Sequence, residues 1–231
     1  MPPGVTVCNA RGVHDASVSE WVVGVILAMQ KRLPECLDDQ RGGRWSDVVP
    51  MDLAGRRVLI LGYGSIGRAL EARLAPFGVH IDRVGRRPRA GVAPPSAVDR
   101  LLPVADVVVS LLPLTEETAG FMSRRRLAAM RRGALLVNAG RGGTVDAAAL
   151  EEALRAGVLR AALDVTDPEP LPEGHSLHSA PGCLITPHIA GRTTSFPASA
   201  YRLARGQLER YLRGEPLINV VRSPMGAAEA A

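Results

Sequence analysis

The stretch Arg57–Gly67, RVLILGYGSIG, decides the fold. Val58 to Leu61 is a short unbroken apolar run, which reads as a strand buried on both faces, and it gives way at once to glycines at 62, 64 and 67. Ser65 to Pro76 then carries helical spacing. In a strand, glycine loop and helix of this kind, Gly62 allows the tight turn, Gly64 lets main chain approach a pyrophosphate, and Gly67 lets the helix pack closely. The start of the helix supplies unpaired N–H groups and the positive end of its dipole to the phosphates, with Tyr63, Ser65 and Ile66 lying between the glycines. The plainer reading, three glycines that only make a turn, leaves the flanking strand and helix unexplained.

Outward from this stretch the pattern repeats. Val79–Val84, Val104–Leu111, Ala134–Asn138, Arg160–Val165 and Cys183–Thr186 read as strands, and Met122–Met130 as an intervening helix. Asp146 caps a further helix that Gly157 ends. Ahead of them Val18, Val22, Val25, Ile26, Met29 and Leu33 recur at helical spacing between Ala16 and Arg41, as one long helix or as two joined at Pro34. Thr193–Arg213 reads as a closing helix. Apolar strands alternating with helices predict an α/β fold with a doubly wound parallel sheet. Only the Ala93–Pro95 loop and the small-residue tail from Gly226 read as mobile.

Composition sets the class. The 231 residues are 46% hydrophobic and 22% charged, which is globular and not disordered. The longest apolar stretch, Trp21–Met29, falls far short of the roughly 20 residues that span a bilayer, and no basic segment with an apolar run opens the chain. A soluble, cytoplasmic protein is expected. The net charge of +5 comes from 28 basic residues of which only Lys31 is lysine. The arginines are scattered, and aromatics make up only 3%, so neither a phosphate-tracking stripe nor a stacking platform for nucleic acid is present. Cys8, Cys36 and Cys183 have no CxxC spacing, so no disulfide framework and no metal site is indicated, and all three read as small buried apolar residues.

The end of the second strand selects the dinucleotide. Asp82 has the spacing of a ribose-binding carboxylate, but it lies inside the strand, and Gly85-Arg86-Arg87 follows the strand end. A glycine there removes a carboxylate that would repel a 2′-phosphate, and two guanidiniums can bind one, so NADPH is favoured with NADH as the alternative. The bland reading makes Arg86, Arg87 and Arg89 a solvated basic turn. The other polar candidates share strand-end positions: Arg141 after the fourth strand, Asp164 at the end of the fifth, and His188 after the sixth. Ligands of such sheets bind beyond the carboxyl ends of the strands. Glu169 joins this group through the proline-stiffened loop Asp167–Pro172. The other histidines, His14, His80, His175 and His178, read as structural, the last two in a surface loop.

These residues resemble the D-isomer-specific 2-hydroxyacid dehydrogenases, in particular their glyoxylate and hydroxypyruvate reductase branch. The resemblance rests on the glycine loop, the turn Gly85-Arg86-Arg87-Pro88-Arg89, Pro113-Leu114-Thr115 with Thr118, and Val137-Asn138 leading to Arg141-Gly142. It continues through Val145-Asp146 with Leu150, Leu163-Asp164-Val165 to Glu169-Pro170-Leu171, and Thr186-Pro187-His188-Ile189-Ala190-Gly191. It implies reduction of a small 2-oxo acid to a D-2-hydroxy acid, with hydride from the nicotinamide, His188 as the acid and Glu169 paired with its imidazolium form. Arg141 would hold the carboxylate and carbonyl oxygen, and Asp164 would orient the nicotinamide amide. Leu112, Pro113, Thr118, Asn138, Ala139, Gly140 and Gly191 would join Arg141, His188 and the glycine loop around the cofactor.

The resemblance also implies a substrate lobe of roughly 100 residues ahead of the segment that corresponds to Val5–Asn9. The expected organisation is therefore a remnant of that lobe at 1–15, the dinucleotide-binding domain at 16–189, and a helix and tail at 190–231 returning to the flavodoxin-like lobe. A homodimer through the first long helix is expected. The rival expectation is a dinucleotide-binding or interaction module whose catalysis is impaired.

Overall fold

The computed structural model describes residues 5–87 and 89–222. In chain order they form β1 (Val7–Cys8), α1 (Asp15–Gln30), α2 (Leu33–Arg41), β2 (Arg57–Leu61), α3 (Ser65–Leu74), β3 (His80–Val84), α4 (Val98–Leu101) and β4 (Val107–Ser110). Then follow α5 (Arg124–Ala129), β5 (Leu135–Asn138), α6 (Ala147–Arg155), β6 (Arg160–Leu163), β7 (Cys183–Ile185), α7 (Phe196–Leu212) and β8 (Val220–Arg222).

Six strands make one parallel sheet in the order β3-β2-β4-β5-β6-β7. The period-2 alternation of side chains explains why helices must cover both faces. Leu59, Leu61, Val108 and Leu136 enter one core with α4, α5 and α6, whereas Val58, Ile60, Val107, Val109, Leu135 and Val137 enter the other with α1 and α3. Every apolar residue of β2 is therefore used. β3 lies on one side of β2 and β4 on the other, so the chain reverses direction across the sheet at β2. Such a reversal opens a crevice at the carboxyl ends of the adjoining strands.

The expected doubly wound parallel sheet is the observed one, with differences at element ends. The first helical stretch is two helices, broken at Arg32, whose φ of 55° is left-handed, with Pro34 in the first turn of α2. The strand expected from Val104 starts at Val107, because Leu102–Val104 turns as a short 3₁₀ segment. α7 starts at Phe196, past the polar Thr193–Ser195 turn. The Ala93–Pro95 loop is held in place: Ala93 bridges Val84, and the following Ala97 is buried. The tail from Gly226 lies outside the described residues. Cys8, Cys36 and Cys183 are all only half-buried, contrary to expectation, since the first two sit on small peripheral elements and the third on the edge strand β7. Segments from the two ends of the chain meet, β1 pairing antiparallel with β8 apart from the main sheet.

Candidate active site

The glycine loop lies at the sheet's reversal point. Gly62 has a φ of +96°, and a Cβ there would stand 2.9 Å from the Leu111 carbonyl oxygen, which follows β4. The N–H groups of Gly62 and Tyr63 both donate to the Val84 carbonyl at 3.0 Å, tying the loop to the end of β3. Gly64 precedes α3 with no side-chain cap, which leaves the first-turn N–H groups for an anion, and among the described residues nothing beyond its chain neighbours lies within 4 Å of where its Cβ would be. Ser65 and Ile66 begin the helix half-buried, and Gly67 packs beneath the Gly62 carbonyl. An open approach, an uncapped helix start and basic residues nearby fit a dinucleotide pyrophosphate.

Beyond β3, Gly85 is buried because Val92 fills the space its side chain would occupy, while Arg86 and Arg87 are exposed. Neither arginine has a side-chain hydrogen bond or ion pair among the described residues, so both guanidiniums are free for a ligand. Arg57 takes Asp82 as its partner at 3.6 Å, in agreement with the position of Asp82 inside the strand.

Several expected cofactor residues have visible local work. Asn138, at the end of β5, accepts from the Gly140 N–H and donates to the Arg141 carbonyl, each at 3.1 Å, which folds Ala139, Gly140 and Arg141 into a tight turn. A Cβ on Gly140 would stand 2.5 Å from the Leu112 carbonyl oxygen, so this turn is seated on the segment after β4. Thr118 donates to the Pro113 carbonyl at 2.5 Å and accepts from the Thr115 N–H at 2.8 Å, closing the next loop on itself. Gly191 faces the His14 imidazole, which stacks on Phe196 with centroids 5.0 Å apart.

Past β6 and β7, Asp164, Glu169 and His188 line one cavity of about 740 Å³. His188 Nδ1 lies 2.5 Å from Glu169 Oε1, which leaves Nε2 free of this pairing. The backbone of His188 is left-handed, with a φ of 53°, a conformation that the surroundings must enforce. Asp164 does so. It is 3% exposed, its carbonyl accepts from the His188 N–H at 2.8 Å, and its carboxylate accepts from the Thr186 hydroxyl at 2.6 Å and from the Ile189 and Ala190 N–H groups at 2.9 Å. Arg141 is not in the cavity wall; it is exposed after β5 with Nη1 donating to the Gly140 carbonyl at 2.6 Å. Thr166, His178 and Arg192 line the cavity too, and the sequence reading did not select them. Arg192, four residues past His188, was visible as a strand-end cation; nothing local marks His178. Among the described residues no cluster of metal-ligating side chains occurs, and no helix is long and apolar enough to cross a membrane.

A parallel sheet with an open glycine loop at its reversal point, and a histidine–carboxylate pair beyond its strand ends, defines a dinucleotide-binding domain of the oxidoreductase type. Residues 23–190 match the D-isomer specific 2-hydroxyacid dehydrogenase, NAD binding domain. The chain belongs to this family, whose members are NAD-dependent oxidoreductases acting on CH–OH donors. It is 35% identical over 227 residues to the glyoxylate reductase/hydroxypyruvate reductase of Mus musculus, covering 93% of this chain and 69% of that protein. It is 32% identical over 232 residues to a D-3-phosphoglycerate dehydrogenase of Methanocaldococcus jannaschii, covering 96% of this chain and 44% of the other. Among solved structures, a family member from Xanthobacter autotrophicus Py2 in complex with NADPH and MES superposes with a TM-score of 0.84 at 36% identity, over 96% of this chain and 93% of that one.

Proposed function

We propose that the chain is an NADPH-preferring reductase of small 2-oxo acids of the glyoxylate or hydroxypyruvate type, yielding D-2-hydroxy acids. The observation that carries this reading is the His188–Glu169 pair at 2.5 Å in the cavity beyond β6 and β7. The bound dinucleotide supplies the hydride that adds to the substrate's carbonyl carbon. With Nδ1 held by Glu169, His188 presents Nε2 to the carbonyl oxygen and gives it a proton as the C–H bond forms. Arg141, on the turn stapled by Asn138, swings from the Gly140 carbonyl to bind the substrate carboxylate in a bidentate pair. Asp164 holds the His188 turn and keeps part of its acceptor capacity for the nicotinamide amide.

Support for NADPH comes from the absence of a carboxylate at the end of β3, from the free Arg86 and Arg87, and from the NADPH complex of the Xanthobacter relative. A homodimer is part of the reading, supported by exposed Leu33, Leu37 and Trp45 on and after α2. The decisive experiment follows NADPH oxidation by glyoxylate and hydroxypyruvate with the purified chain and its His188→Gln variant. The variant should lose about 100-fold or more in turnover while binding NADPH as before. Equal turnover by the two proteins removes His188 from the mechanism. NADPH binding without turnover by the parent favours the non-catalytic dinucleotide-binding module.

A further inference from the structure

Tyr63, Glu71 and Arg83 meet from three elements: the glycine loop, the middle of α3 and the end of β3. Arg83 donates through Nε to Glu71 Oε2 at 2.7 Å and through Nη2 to Glu71 Oε1, and the Tyr63 hydroxyl donates to Glu71 Oε2. A two-pronged guanidinium–carboxylate pair fixes orientation as well as distance. The side chains of Arg83 and Glu71 are 31% and 22% exposed, so the pair is partly sheltered from water. The Arg83 guanidinium holds the Glu71 carboxyl below the usual carboxylate range, and burial, with Glu71 beside it, pushes the Tyr63 phenol up. Tyr63 therefore remains a donor to an ionised Glu71 throughout the neutral range.

The same tyrosine holds a second arginine. Arg89 donates through Nη2 to the Tyr63 carbonyl at 2.8 Å, and its guanidinium carbon lies 5.6 Å from the centroid of the Tyr63 ring, within cation–π range. The Arg83 guanidinium stands 5.8 Å from that centroid. Two cations share one ring: Arg83 is paired with Glu71, and Arg89 has no ion pair among the described residues. Arg89 belongs to the turn that follows β3, and its main chain is clipped to Val92 in both directions. Arg86 and Arg87, in contrast, project into solvent from the same turn.

We propose that Tyr63, held by Glu71 and Arg83, is the platform that sets dinucleotide selectivity by fixing the Arg89 guanidinium beside the glycine loop. The inference rests on the dinucleotide reading of that loop. A 2′-phosphate presented at the end of β3 meets a cation already ordered before it arrives, so NADPH does not bear the cost of immobilising a long side chain. Glu71 and Arg83 act through Tyr63 and are positioning residues.

The test is a fluorescence titration of the purified 231-residue chain with NADPH and separately with NADH, with the thermal midpoint of each variant measured alongside. Tyr63→Phe keeps the ring and the main-chain ties but removes the hydroxyl's bond to Glu71, and should lower the NADPH:NADH affinity ratio by about the same few-fold as Glu71→Gln. Tyr63→Leu should lower that ratio by about tenfold, with NADH affinity changed less than about threefold. Glu71→Gln should lower it by a few-fold, and supplies the answer if Tyr63→Leu does not fold. In an Arg89→Met background Tyr63→Leu should have no further effect on the ratio, since the residue through which it acts is gone. Equal weakening of both dinucleotides, or a fall in the ratio that persists without Arg89, overturns the proposal. A parent chain that binds neither dinucleotide, or binds NADH more tightly, overturns the NADPH reading, and the inference with it.

Discussion

Replacing Asp164 by asparagine changes one atom's chemistry at a nearly fixed shape, and the structure says what that change costs. Three donors converge on this buried carboxylate: the Thr186 hydroxyl and Ile189 N–H on Oδ1, and the Ala190 N–H on Oδ2. The amide keeps one acceptor. If its oxygen takes the Oδ1 position, its NH₂ group faces the Ala190 N–H, so one bond is lost and two donors oppose each other away from water. A buried group left unsatisfied costs about 1–3 kcal/mol, and bonds to a charged acceptor are worth about 1.5–3 kcal/mol. Asp164→Asn should therefore destabilise the chain by about 2–3 kcal/mol. For a domain of this size that lowers the thermal midpoint by about 5–10 °C. Guanidinium unfolding followed by circular dichroism measures the loss, an unchanged denaturant slope showing that the transition compared is the same one. Thr186→Val combined with Asp164→Asn should be strongly non-additive, because the two residues share a bond. A loss below about 0.5 kcal/mol, or simple additivity with Thr186→Val, would refute the assignment of Asp164 as the anchor of the left-handed His188 turn.

Three further outcomes test other parts of the structure. A methyl group on Gly142 would fall on the Thr166 carbonyl, so Gly142→Ala should cost about 3 kcal/mol or more, read as a lowered unfolding midpoint; a neutral result would show that the loops after β5 and β6 are not packed as described. Burial pushes the Cys183 thiol up to about 12, so iodoacetamide at mildly alkaline pH should label Cys8 and Cys36 in the folded chain and reach Cys183 only on unfolding, as peptide mass spectrometry reads. The folded Glu71 carboxyl lies below its ordinary value of 4.5, so its contribution to stability is complete above that value and is lost as pH falls through the folded one. Thermal midpoints from about pH 6 to about pH 3 should fall less steeply in Glu71→Gln than in the parent, and parallel curves would discount the ion pair.

The elements of the sheet were legible because their signals are local. Val58–Leu61 reads as a strand from its own composition, Gly62–Gly67 as a turn into a helix from its own spacing, and the Asp146 cap is seen in the bond its carboxylate accepts from the Ala149 N–H. Strand ends were also legible, and with them the positions of Arg141, Asp164 and His188 past β5, β6 and β7, although Arg141 stands outside the cavity that the other two line. Less was visible in their roles. Asp164 reads in sequence as a polar residue facing the crevice, whereas its carboxylate is largely committed to the turn that carries His188. Thr118 and Asn138 likewise bond within their own loops.

The amino-acid sequence by itself determined a doubly wound sheet with a dinucleotide loop, because periodicity, turn chemistry and capping act between residues a few positions apart. Tertiary structure alone decided which distant side chains meet. His188 reaches Glu169 across 19 residues because β6 and β7 are neighbours, and Arg83 reaches Glu71 across 12 because α3 returns the chain beside β2 to form β3. Arg89 comes to rest on Tyr63, 26 residues earlier, by the same return. Such meetings follow from strand order, which no stretch of sequence carries alone, since it is set by how both faces of the sheet are buried at once.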